Sequence, residues 1–70
     1  MIRYKVISKG KTRGWLKLRN ALLNMHQIKR VMVRGESNEI ELELKGGVDQ
    51  NEIIEIIRAK IGAILELNNG

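Results

Sequence analysis

The side chains able to carry chemistry in this sequence are few. There is one histidine, His26, and no cysteine. Thiol nucleophiles, disulfides and thiolate-bound metal are therefore excluded, and cysteine usage says nothing about redox compartment. A Ser-His-acid triad would have to use His26. Its place near the end of a helical segment gives it a structural reading instead, because an imidazolium suits the carbonyl end of a helix. The carboxylates fall on a cap (Asp49), an alternating strand (Glu39, Glu41, Glu43) and a helix surface (Glu52, Glu55). Nowhere do base, nucleophile and oxyanion donors converge, so the sequence predicts no catalytic residue and no enzyme. One histidine with scattered carboxylates cannot build a zinc or copper site, and Met1, Met25 and Met32 do not cluster. No metal and no cofactor is expected.

The remaining chemistry is electrostatic. The segment "SKGKTRGW", residues 8–15, lies between a strand and a helix and carries Lys9, Lys11 and Arg13 with no acid. Helix starts favour negative charge, so this one runs against the dipole. The Gly-Lys-Thr at 10–12 matches the end of a phosphate-binding loop, but the glycine required at position 5 is a lysine. Residues 1–35 hold ten Lys or Arg and no acid. Residues 36–70 hold eight Asp or Glu against Lys45, Arg58 and Lys60, so the net +5 is a +10 half beside a −5 half. Such asymmetry marks either a nucleic-acid surface or two halves that neutralise each other in the fold.

The elements that must position these groups follow from periodicity. Ile2, Tyr4 and Val6 alternate with Arg3 and Lys5 in a half-buried strand. From Thr12 to Met25, Trp15, Leu18, Leu22 and Met25 share a helical face, with Thr12 as the expected N-cap. "IKRVMVRG" predicts a strand with Val31 and Val33 inward and Arg30, Met32 and Arg34 outward, followed by a turn at "GESN". "EIELELK" sends Ile40, Leu42 and Leu44 inward and its glutamates out. A second helix starts at Asp49 with Glu52 spaced as a capping box, buries Ile53, Ile56, Ile57 and Ile61 with Ile54 at the margin, and ends at Gly62. "AILEL" supplies a short last strand.

This β-α-β-β-α-β order, with right-handed crossovers, predicts one α+β domain over residues 1–70. Its antiparallel sheet has strand order 4-1-3-2 with both helices on one face, the ferredoxin-like architecture. Strand adjacency then places Arg3 and Lys5 across from Glu41 and Glu43, and Arg30 and Arg34 near Glu39 and Glu41, with Glu66 beside the first strand. Lys9, Lys11, Arg13, Lys17, Arg19 and Lys29 are left unpaired. The open face has no aromatic on which bases could stack, because Tyr4 points inward. Trp15 reads as core on the helix stripe or as a part-exposed anchor. Leu16 and Leu23 lie off that stripe.

From Lys5 to Leu67 the chain resembles the heavy-metal-associated domain. A strand leads to "GKT" where that family has a Gly-Met-Thr turn; a helix follows, then "IKRVMV", then the closing "VDQNEIIEIIRAKIGAILEL". The family's two metal-binding cysteines would fall at Arg13 and Leu16, so no metal site carries over. The resemblance implies a protein-recognition module of the kind that lacks those cysteines. A looser resemblance is to small periplasmic envelope and flagellar-assembly modules of this topology with a tryptophan in the first helix. The expected function is protein binding through Lys9, Lys11, Arg13, Trp15, Leu16, Lys17 and Arg19, or through the edge at residues 29–34. The expected partner is an acidic protein or a neighbouring part of a parent chain. Nucleic-acid backbone binding at the same patch is the alternative, and no membrane span is expected.

Overall fold

The computed structural model describes residues 1–68. Its elements run β1 (Ile2–Ser8), α1 (Trp15–Leu23), β2 (Ile28–Arg34), a 3-10 turn (Gly35–Ser37), β3 (Glu39–Leu44), α2 (Gln50–Ile61) and β4 (Ile64–Leu67). The four strands form one antiparallel sheet in the order β2-β3-β1-β4, which is the order deduced from connection handedness.

The core is aliphatic apart from Tyr4. Tyr4, Ile40 and Leu42 from the sheet meet Leu18 and Leu22 of α1 and Ile53 and Ile57 of α2, all fully buried. In α2 the buried stripe is Ile53, Ile57 and Ile61, while Ile54 and Ile56 are half-buried at its sides. Met25 is buried just beyond α1, and the Trp15 ring is only partly covered. Burial of the Tyr4 phenol raises its pKa, since the ionised form would lose hydration.

The two helices start differently. Asp49 caps α2 by accepting from the Asn51 N–H at 2.8 Å, one residue before the bond that a capping box would make. Gly62 closes α2 in the left-handed region at φ 77°, donating to Ile57 and Arg58 carbonyls. Thr12, expected to cap α1, instead donates its hydroxyl to the Lys9 carbonyl at 2.8 Å and ties the preceding turn. The helix begins only at Trp15, because Gly14 stands at φ 136° and ψ 157°, a backbone state open chiefly to glycine. No side chain caps α1 and no acid occupies its first turn.

Cross-strand register corrects part of the charge assignment. Arg3 opposes Glu41 as expected, but Lys5 opposes Glu39 rather than Glu43. Arg30 pairs with Glu43 at 3.7 Å, not with Glu39 or Glu41, and Arg34 reaches Glu41 at 3.1 Å. Lys29, expected to be free, lies 3.6 Å from Glu43. The cause is the irregularity between Ile28 and Arg30, where two β2 residues face one of β3, so neighbouring cations converge on one carboxylate. Glu41 serves both flanks, with Arg3 at 3.5 Å and Arg34 on the same oxygen. Glu39 accepts from the Asn68 side-chain amide. Its pKa is lowered chiefly by the Ser37 hydroxyl, then by Asn68, Arg3 and Arg34, against a smaller opposing effect of burial than that of Ser37.

Candidate functional site: a basic corner beside Trp15

The segment between β1 and α1 is held by two backbone contacts. Lys11 N–H donates to the Ile61 carbonyl at 3.0 Å, which joins the loop to the last turn of α2. At the same point Gly10 crosses Gly62 so closely that a Cβ on Gly10 would lie 2.3 Å from the Gly62 carbonyl carbon. Gly10 stands at φ 65°, so both its backbone state and its surroundings require glycine. Ser8 Oγ accepts from Gly10 N–H at 3.2 Å and steadies the turn from the strand side.

This crossing sets Lys11 against the carbonyl end of α2, where partial negative charge collects. Lys9 folds over Trp15, its Nζ 5.0 Å from the ring centroid, a cation–π contact on a half-buried indole. The other edge of the indole packs on Gly35, where a Cβ would come within 3.1 Å of Trp15 Cδ1 and Nε1. Trp15 therefore joins the β1–α1 loop to the end of β2. Beyond Gly35 lies an open hollow of about 380 Å³ lined by Val33, Arg34, Gly35, Glu36 and Ser37.

Leu16 follows Trp15 and is 68% exposed; Lys11, Arg13, Lys17 and Arg19 are also exposed. Among the described residues no acidic side chain lies within ion-pair distance of Lys9, Lys11, Arg13, Lys17 or Arg19, whereas Arg3, Lys29, Arg30 and Arg34 each have one. The structure thus brings Lys9, Trp15 and Leu16 together at the start of α1, with Lys11 docked on α2 and Lys17 and Arg19 further along α1. The link to Gly35 and its hollow was not readable from sequence, since it depends on a contact twenty residues away in the chain. Its only local signal is a glycine directly after a strand.

Among the described residues no group of three His, Asp or Glu side chains is placed to hold a metal ion. No helix of the described residues is long and apolar enough to cross a membrane. Leu23 (39% exposed), Ile7 and Ile64 are further exposed aliphatics, and Ile7 lies just before the loop. No family model, curated protein or solved structure matches the chain.

Proposed function

We propose that this chain is a non-catalytic protein-interaction domain that docks an acidic partner on the basic corner formed by Lys9, Lys11, Arg13, Lys17 and Arg19. Trp15 and Leu16 supply its apolar contact. The observation that carries this reading is the division of cations. On the strands Arg3, Lys29, Arg30 and Arg34 each lie beside Glu41 or Glu43, while among the described residues Lys9, Lys11, Arg13, Lys17 and Arg19 have no carboxylate within ion-pair distance and lie around a half-buried tryptophan. Unpaired charge at the rim accelerates encounter, and a part-buried aromatic with a neighbouring leucine holds the complex once formed. The resemblance to heavy-metal-associated domains, with Arg13 and Leu16 at the cysteine positions, agrees with recognition rather than metal transfer.

The test is a binding screen of the domain against acidic peptides and against short DNA and RNA, across a salt series. Acidic peptides should bind at low salt and quench or shift Trp15 emission. Lys11→Glu combined with Arg13→Glu should weaken that binding at least about tenfold. A preference for nucleic acid, with a salt slope near 0.7–0.9 per phosphate contacted, would replace the acidic protein by a phosphate backbone at the same corner. No binding of either kind, or no effect of the double variant, reduces the patch to solvated surface.

A further inference from the structure

Four cations on β2 and β1 show how this sheet chooses its neighbours. One row of the open face reads Arg34, Glu39, Lys5, Glu66 across β2, β3, β1 and β4, so the sign of charge alternates at every step. The next row sets Arg3 beside Glu41 at 3.5 Å, and the next sets Arg30 beside Glu43 at 3.7 Å. The alternation stops at β2, which among the described residues has β3 on one side and no strand on the other. Arg30 and Arg34 thus each meet an anion on their inner side only, and their side chains remain 67% and 50% exposed. The core-facing residues of β2 are Ile28 and Val31, buried, and Val33, half-buried.

We infer that the open edge of β2 accepts an extended acidic segment of another protein as a fifth strand, with glutamate or aspartate alternating with aliphatic residues. This deepens the reading of the basic corner as a docking site and rests on it. Acidic side chains on the open face would stand beside Arg30 and Arg34 and continue the alternation. The aliphatic side chains between them would face the Val31 and Val33 side, beneath α1. Backbone hydrogen bonds supply a general affinity for strands, and the charge row supplies the choice among them. The strand runs over Ile28–Arg34, and past the irregularity after Ile28 its stretch from Arg30 to Arg34 is in regular register, a usual strand length. It also discriminates against itself, because symmetric pairing of two β2 strands sets their cations together.

The edge and the basic corner form one continuous surface. β2 ends at Arg34, Gly35 follows against the Trp15 ring, and Lys9 covers that ring. A strand lying along β2 would therefore pass the hollow bounded by Val33, Gly35 and Ser37 before reaching the loop cations. That hollow is where a side chain at the end of the added segment would lodge.

The experiment uses a capped seven-residue peptide alternating glutamate with isoleucine, and two N-methylated forms, methylated at odd or at even positions. An added strand turns every second N–H toward β2. One methylated form should lose at least about tenfold in affinity while the other stays near the parent. Amide shifts should concentrate in residues 29–35, with slowed exchange on the outer edge of β2 and a shift of the Trp15 indole. A peptide with lysine for glutamate should bind at least about tenfold more weakly. Equal binding of both methylated forms, with shifts confined to residues 9–19, would overturn strand addition while leaving the basic corner intact. A stable dimer or filament that already protects β2 would overturn it too, since a second copy, through β4 and its Glu66, would then hold the edge.

Discussion

Replacing Gly10 by alanine should be the most damaging single-methyl change in the chain, and Gly62→Ala is its control. Both glycines have left-handed backbones, at φ 65° and φ 77°. An L-residue in that region costs roughly 1–2 kcal/mol, which either variant incurs. The surroundings separate them. A Cβ at Gly62 would come no nearer than 3.7 Å to any atom of the loop, ordinary contact. A Cβ at Gly10 would lie at 2.3, 2.5 and 2.6 Å from the Gly62 carbonyl carbon, its oxygen and the Ala63 nitrogen. These are backbone atoms, so no rotamer change relieves the overlap and the loop must lift. Lifting breaks the 3.0 Å bond from Lys11 N–H to the Ile61 carbonyl, about 1 kcal/mol net and up to about 3 kcal/mol if a group stays buried without a partner. Gly10→Ala should thus lose about 2–5 kcal/mol and Gly62→Ala about 1–2 kcal/mol. Urea unfolding followed by Trp15 fluorescence reads both stability and the loop, because Lys9 covers that indole. Equal midpoints for the two variants would refute the crossing, and with it the placement of Lys9 and Lys11.

Asp49→Ala should cost about 1 kcal/mol in urea unfolding through loss of its 2.8 Å bond to Asn51 N–H, whereas Glu52→Gln, with no cap bond to lose, should stay close to wild type. Stability should fall at both ends of the pH scale. Glu39 has a lowered pKa in the fold, so its contribution is present above the unfolded value near 4.5 and is lost as pH falls through the folded pKa. Tyr4 has a raised pKa, so ionisation favours the unfolded chain as pH climbs past 10.0. Urea midpoints against pH should show the acid arm flattened by Glu39→Gln and the alkaline arm flattened by Tyr4→Phe. Arms that do not change would remove the assigned causes.

Period-two alternation made the sheet legible, since Tyr4, Val6, Ile40 and Leu42 can turn only one way if the charges between them stay wet. The strand order followed because two crossovers of fixed hand leave few alternatives. What escaped were features decided by single backbone states. The α1 start slipped from Thr12 to Gly14 because a glycine at φ 136° cannot be told from any other glycine by its type. The irregularity after Ile28 put Lys29 on Glu43, whereas alternation alone left it free. Lys5 falls against Glu39 because the strands are antiparallel: once Arg3 faces Glu41, stepping forward along β1 steps back along β3. The seven expected binding residues were chosen on charge and apolar flanks. Their joining to Gly35 through Trp15 needed tertiary contacts.

The start of α1 runs against the helix dipole. Lysines and arginine before a helix that carries no acid in its first turn cost roughly 0.3–1 kcal/mol if α1 is considered alone. Lys11 donates its backbone N–H to the Ile61 carbonyl, the last of α2. Yet the carbonyl end of α2 does not neutralise the corner, because its last turn is itself basic with Arg58 and Lys60. The outcome is a positive surface not discharged by any carboxylate among the described residues. That distinguishes this corner from the sheet, where the β2 cations share Glu41 and Glu43. On the proposed reading, an anion brought by a partner meets no competing carboxylate at the corner, so first contact there, followed by pairing along β2, is the expected order.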